Sequence, residues 1–444
     1  MNLRINELEK YIQFLNRIPP VKQSFCKHVH PDEIYLYFTG NGRDHIFVCG
    51  DCKKLEISAI PITQTIDPLL EEIKQDYAQP WKFDGILGNP TFSVRDLHLK
   101  FSTKLVYDFS NLYLDPVAMS VLPGSTTRIL LVCNHILKSR LDIASDLEVI
   151  IYDLDSNKII FHWKNIPKLE LNLNNSIKIM ISLDDSLLAI ANVFGEVGYI
   201  LDLDSKTQIL EFRRGTYHIE HCDFPFAFFT YNEQIMFIHA TDWNQLDVLN
   251  PQTGEYITDK TRQINHGEEN YLDYFFSNLS VSPNSLKFQS FGWVWQPIGV
   301  ITFLDVASAV ESPFGAEKVV YSLYDDDWGW STVWLNDETL AVERFSADEY
   351  SYPGVTLLSS TNGDPLDWFP GPEGILFADV DNFHLHSLKE NHLTVWNLRS
   401  GERIGLYDLD FNPHFSNFIS ESKILVYLNS KGELYTLGIN ESSS

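Results

Sequence analysis

A short phrase recurs along this chain, and it restricts the possible folds more than any other feature. EVIIYDLDSNKIIFHW at residues 148–163 returns as GYILDLDSKTQILEF at residues 198–212. Each copy is an apolar run, a polar knot of Asp, Asn, Ser and Lys, and a second apolar run, which is the written form of a β-hairpin. Looser copies centre near Val248, Asp305, Ser359 and Asn397, with a last half-phrase at residues 432–439. The full copies from Asp153 and Asp202 onward stand 38 to 57 residues apart. Four apolar runs fall in one interval, as at residues 177–182, 187–192, 198–203 and 208–212.

A period near 40–50 residues with four strands in each repeat is the signature of a β-propeller blade. Quartets begin near residues 116, 177, 216, 274, 327 and 374, and the last unit has only three runs, 415–419, 424–428 and 433–437. An unpaired blade edge would template further strand addition, so the ring must close. KLVYDF at residues 104–109 supplies the missing strand. The fold class predicted is all-β: a seven-bladed β-propeller over residues 100–444, with six blades as the alternative, closed by that strand against the C-terminal blade. Aromatics at 13% and only 4 Met agree with packed strands.

TVWNLRSGERIGLY (394–407), VLNPQTGEYI (248–257) and SVSPNSLKFQSFG (280–292) resemble the hairpins and inner-strand turns of the WD40-like β-propeller superfamily. No blade carries both the Gly-His and Trp-Asp marks, and Val395-Trp396-Asn397 comes nearest to the second. The His–Ser–Asp network of that superfamily is therefore not carried over to this chain.

Residues 1–99 read as a small α/β N-terminal module. Leu8, Tyr11, Ile12, Leu15 and Ile18 form one helical face that Pro19-Pro20 ends, and residues 68–77 read as a helix capped by Asp67. Between them two β-rich runs, 34–38 and 45–48, flank Gly40-Asn41-Gly42 as a hairpin. A hairpin brings its ends together, which sets Cys26 and His30, or His28, beside Cys49 and Cys52. Three thiolates and an imidazole suit tetrahedral Zn2+, and the pattern C-x3-H-x18-C-x2-C resembles a zinc ribbon with a closed, structural site.

Sixty acidic against 33 basic residues give a formal charge of −27. Such a surface repels the phosphate backbone and anionic membranes, and favours a soluble monomer with a basic protein partner. No stretch approaches the ~20 apolar residues of a membrane helix, and the N-terminus does not read as a secretory signal. Five cysteines, an odd number, fit a reducing cytoplasm.

The stretches that do not repeat carry the functional candidates. Asp325, Asp326, Asp327, Trp328 and Trp330 join carboxylates to indoles that can grip a Lys or Arg side chain, and Trp293 with Trp295 offers a second aromatic anchor. In Tyr217–Asp223, YHIEHCD, strand alternation separates His221 from His218, Glu220 and Cys222, so that set reads as structural. His384 and His386 read likewise as packing. No nucleophile elbow, phosphate loop or metalloprotease helix is present. The expected function is a non-catalytic interaction scaffold or adaptor. The alternatives are a propeller hydrolase or lyase using the central channel, and a bacterial immunity or accessory protein that neutralises a basic toxin.

Overall fold

The middle strands of each repeat are apolar at consecutive positions because a blade is covered on both faces. Leu187–Asn192, LLAIAN, is buried at every residue, whereas the outer strand Thr207–Arg213 alternates with solvent. The computed structural model describes residues 99–135, 147–258, 272–295, 298–311, 318–322, 329–344 and 354–441, and the backbone of strands Ile34–Phe38, His45–Cys49 and Leu55–Glu56. Seven antiparallel sheets follow in chain order as blades 1 to 7, spanning residues 114–163, 177–213, 226–249, 279–322, 332–370, 375–408 and 415–441. In each, strands a to d run from the innermost outward.

Blade 7 supplies three strands, and Leu99–Asp108 pairs with Glu433–Glu441 as its fourth, with Thr436 opposite Lys104. The ring is thereby closed by two segments from opposite ends of the chain. Blade 3 departs from the predicted quartet: among the described residues it has three strands and a single bridge, Leu249 to Tyr256. Its first strand starts at Phe226, so residues 216–223 are not strand. Blade 4 also differs, with the helix Val306–Glu311 inserted between its third and fourth strands.

Seven apolar clusters hold the ring, and each is shared by two neighbouring blades. The cluster of Leu130, Val149, Leu188 and Leu201, for example, joins blades 1 and 2. Strand direction alternates, so every d–a connection and b–c turn lies on one face, here the top, and every a–b and c–d turn on the bottom.

The recurring phrase is the c–d turn. Asp153, Asp202, Asn250, Ser359 and Asn397 each accept a backbone N–H two or three residues on, from Ser156, Ser205, Gln252, Thr361 and Arg399. A left-handed residue closes each turn: Asn157, Lys206, Gly254, Gly363 and Gly401. The acidic residues of the phrase are thus turn formers, and the hydrogen bonds from Ser156 hold the Asp153 carboxyl below its ordinary value.

In the N-terminal segment Ile34–Phe38 pairs antiparallel with His45–Cys49, with Ile34 opposite Cys49. Cys26, His28, His30, Cys52 and the two expected helices lie outside the described residues.

Candidate functional site

An eighth apolar cluster does not join blade bodies. Cys222, Phe275 and Trp293, with Trp243 packed against them, gather on the top face over blades 2 to 4. Four top-face segments build this patch: the connection from blade 2 to blade 3, the b–c turn of blade 3, the entry to blade 4 at Tyr274–Phe276, and the b–c turn of blade 4. Phe275 and Trp293 stack with centroids 3.9 Å apart and planes 1° from parallel. Trp243 lies 4.3 Å from Phe275, and the Trp293 Nε1–H donates to Cys222 Sγ at 3.2 Å. Burial pushes the Cys222 thiol up to about 11, against that indole donor, so it stays protonated.

Gly292 permits the stack. A Cβ there would stand 1.9 Å from the Phe275 carbonyl oxygen and 2.7 Å from the Tyr274 hydroxyl. Only glycine allows the two backbones to approach this closely.

On this buried shelf rest two exposed rings. Tyr217 is 49% exposed and stacks on Phe275 at 5.8 Å, and Trp295 is 44% exposed and meets Phe275 and Trp293 edge-on at 5.4 Å. His218 lies between them, 4.5 Å from the Tyr217 ring and 5.4 Å from that of Trp295.

The connection carrying Tyr217 and His218 folds as a 3-10 turn, Ile219–His221, entered through His218 in the left-handed conformation (φ 52°). Blade 2 ends at Arg213, Gly215 N–H bonds the Thr241 carbonyl, and Phe224 N–H bonds that of Val193, pinning the loop to two b–c turns. In a 3-10 turn, residues three apart eclipse. His218, just before the turn, and His221, at its end, converge on Glu220. Glu220 Oε1 is 3.5 Å from His218 Nδ1 and 3.6 Å from His221 Nε2, and the three ligand atoms lie within 4.8 Å of one another. A backbone N–H and then the two imidazoles hold the Glu220 carboxyl below its ordinary value.

Beneath the loop, buried Arg214 donates to the carbonyls of Gly195 (2.8 Å) and Cys222 (2.9 Å) and covers the Phe224 ring. Loss of solvent draws its pKa down to about 10, which leaves it charged. Lys178 donates to the Phe224 carbonyl at 3.2 Å; burial lowers it to about 8, against the pull of Asp223. Both cations anchor the loop by bonding its backbone carbonyls.

The predicted partner-binding residues divide three ways. Trp295 is exposed on the patch, but Trp293 is 4% exposed and belongs to its buried shelf. Trp330 is 5% exposed and packs with Phe291, Phe303 and Trp334 between blades 4 and 5, so it serves the core and offers no free surface. Asp325, Asp326, Asp327 and Trp328 lie outside the described residues. Cys49 is described only as the last residue of its strand. His384 and His386 are buried between blades, in agreement with packing.

The sequence reading missed His218, Glu220 and His221 as a convergent set. Gly215 and Pro225, which bracket the segment, were the available signal that it is a connection. The seven innermost strands, where a channel site would gather its groups, carry Asp115, Lys178 and Asp379 as their only Asp, Glu, His, Lys or Arg residues.

No protein-family model and no curated protein matches the sequence. Solved structures match the fold. The structure of U3-55K superposes with a TM-score of 0.50 at 12% identity, covering 76% of this chain and 98% of that one. The Kuenenia stuttgartiensis hydrazine synthase gives 0.49 at 13% identity, covering 74% and 96%. At such identities the likeness to U3-55K is of fold alone. Among the described residues no helix is long and apolar enough to cross a membrane.

Proposed function

We propose that this chain is a non-catalytic interaction scaffold that binds a protein partner through its top face, with Tyr217 and Trp295 as the anchors. The observation that carries this reading is the pair of half-exposed rings held on a rigid shelf of stacked Phe275 and Trp293. Large rings already fixed by packing lose little freedom on binding, so most of their burial becomes affinity. The formal charge of −27 supports a basic partner, steered to the disc by its field.

Affinity capture from the native host, read by mass spectrometry, tests it with three baits. A Tyr217→Ala, Trp295→Ala double variant should lose the partner retained by the wild type, since one such anchor contributes about 2 kcal/mol, roughly thirtyfold. Leu286→Ser, in an exposed a–b turn on the bottom face, should retain it. A folded double variant that captures the same proteins in the same amounts would refute the assignment of the patch.

A further inference from the structure

We propose that His218, Glu220 and His221 form a binding site for a divalent transition-metal ion of the zinc class. Two imidazoles and one carboxylate are the donor set that suits zinc, whereas calcium and magnesium prefer oxygen alone. Bonds of ~2.0–2.1 Å in a tetrahedron place neighbouring ligand atoms ~3.3–3.4 Å apart. Two edges of this triangle, 3.5 Å from Glu220 to His218 and 3.6 Å from Glu220 to His221, are already within a few tenths of an ångström of that. The third side closes by small rotations of side chains that solvent does not oppose, because Glu220 and His221 are exposed and His218 is half-buried.

The backbone beneath is fixed. Arg214 holds the carbonyl of Cys222, the loop's backbone bonds reach Thr241 and Val193, and the His218 ring is wedged between Tyr217 and Trp295. Among the described residues, the other close histidine–carboxylate contacts lack a third donor: His162 meets Glu148 at 2.6 Å, and His392 meets Asp408 at 2.7 Å. Three protein ligands leave one tetrahedral position for water. The site is independent of the proposed docking role, although it borders the same patch.

The experiment uses the full chain carrying Cys49→Ser and Cys52→Ser, so that thiolates of the N-terminal segment do not contribute. Titration calorimetry with zinc should find one equivalent bound. Cobalt(II) loading should give visible d–d bands without the near-ultraviolet charge transfer of thiolate ligation. His218→Ala, His221→Ala and Glu220→Gln should each weaken zinc at least tenfold, and His162→Ala and His392→Ala should leave it unchanged. Thermal melting without metal should be the same for all, because the three ligands are not core residues. Absence of zinc binding in the serine background, or equal affinity in the His218→Ala, His221→Ala double variant, would overturn the proposal.

Discussion

His386 is 1% exposed, lies 4.4 Å from the Phe418 ring, and among the described residues neither ring nitrogen has a hydrogen-bond partner. Burial, and then the neighbouring His384, lowers its pKa from the ordinary 6.5 to about 3. Between those values the unfolded chain holds a proton that the folded chain refuses. Stability therefore rises with pH in this window and is lost as pH falls from 6.5 towards 3, with a slope of up to about 1.4 kcal/mol per unit. Urea denaturation between pH 6.5 and 5, above most carboxylate titrations, should show His386→Phe losing less stability than the wild type; equal slopes would refute this account. Single residues also show the limit of reading indoles from sequence. Trp293 and Trp295 are two apart and would share a face on a continued strand, but the strand ends at Val294 and only Trp295 swings out.

At the level of elements, local patterns were legible wherever a turn was made by its own residues. Asp153 and Asp202 announce c–d turns because their carboxylates accept backbone N–H groups three residues on. The 3-10 turn at residues 219–221 was not legible, because its shape comes from bonds to turns of two blades rather than from its own composition. The a–b turns of the bottom face also depend on neighbours. Gly124 N–H donates to Asp185, Thr230 N–H to Ser285, Asn284 to Asp337, Lys423 to Asn382, and Ser422 to the Thr126 carbonyl, linking five pairs of adjacent blades. Asp337 accepts from Asn284 N–H at 2.9 Å and from its Nδ2 at 2.6 Å. Burial alone would raise its pKa, but these donors prevail and lower it. Asp337→Ala should cost about 1.5–3 kcal/mol. In a double-mutant cycle by urea denaturation, the part of that loss carried by the Nδ2 bond should vanish in the Asn284→Ala background, while the part carried by the backbone N–H remains; full additivity would show that the Nδ2 bond between blades 4 and 5 carries no energy.

For the whole molecule, closure decides stability. Each blade buries its faces only against its neighbours, so an open ring would expose two apolar faces and an unpaired edge. Thr436 lies in the strand that pairs with both Ile424–Leu428 and Leu99–Asp108. Thr436→Pro removes a ladder donor from a strand paired on both sides, and should cost about 2–3 kcal/mol, the upper part of the range for single substitutions. A thermal midpoint within 2 °C of the wild type, against the several degrees such a loss implies, would show that closure matters little. What the sequence by itself determined is the blade; it predicted seven with six as the alternative, and the pairing of Leu99–Asp108 with Glu433–Glu441 decided for seven. Strand patterns and turn chemistry are local, and the hairpin repeats because each blade meets the same two-sided burial. Which side chains meet on the top face was decided only by the tertiary structure. The patch of Tyr217, Trp243, Phe275 and Trp295 draws on segments of blades 2, 3 and 4 that lie far apart in the chain. Their approach depends on the bend of the ring and on the bare backbone of Gly292, neither of which any one segment encodes.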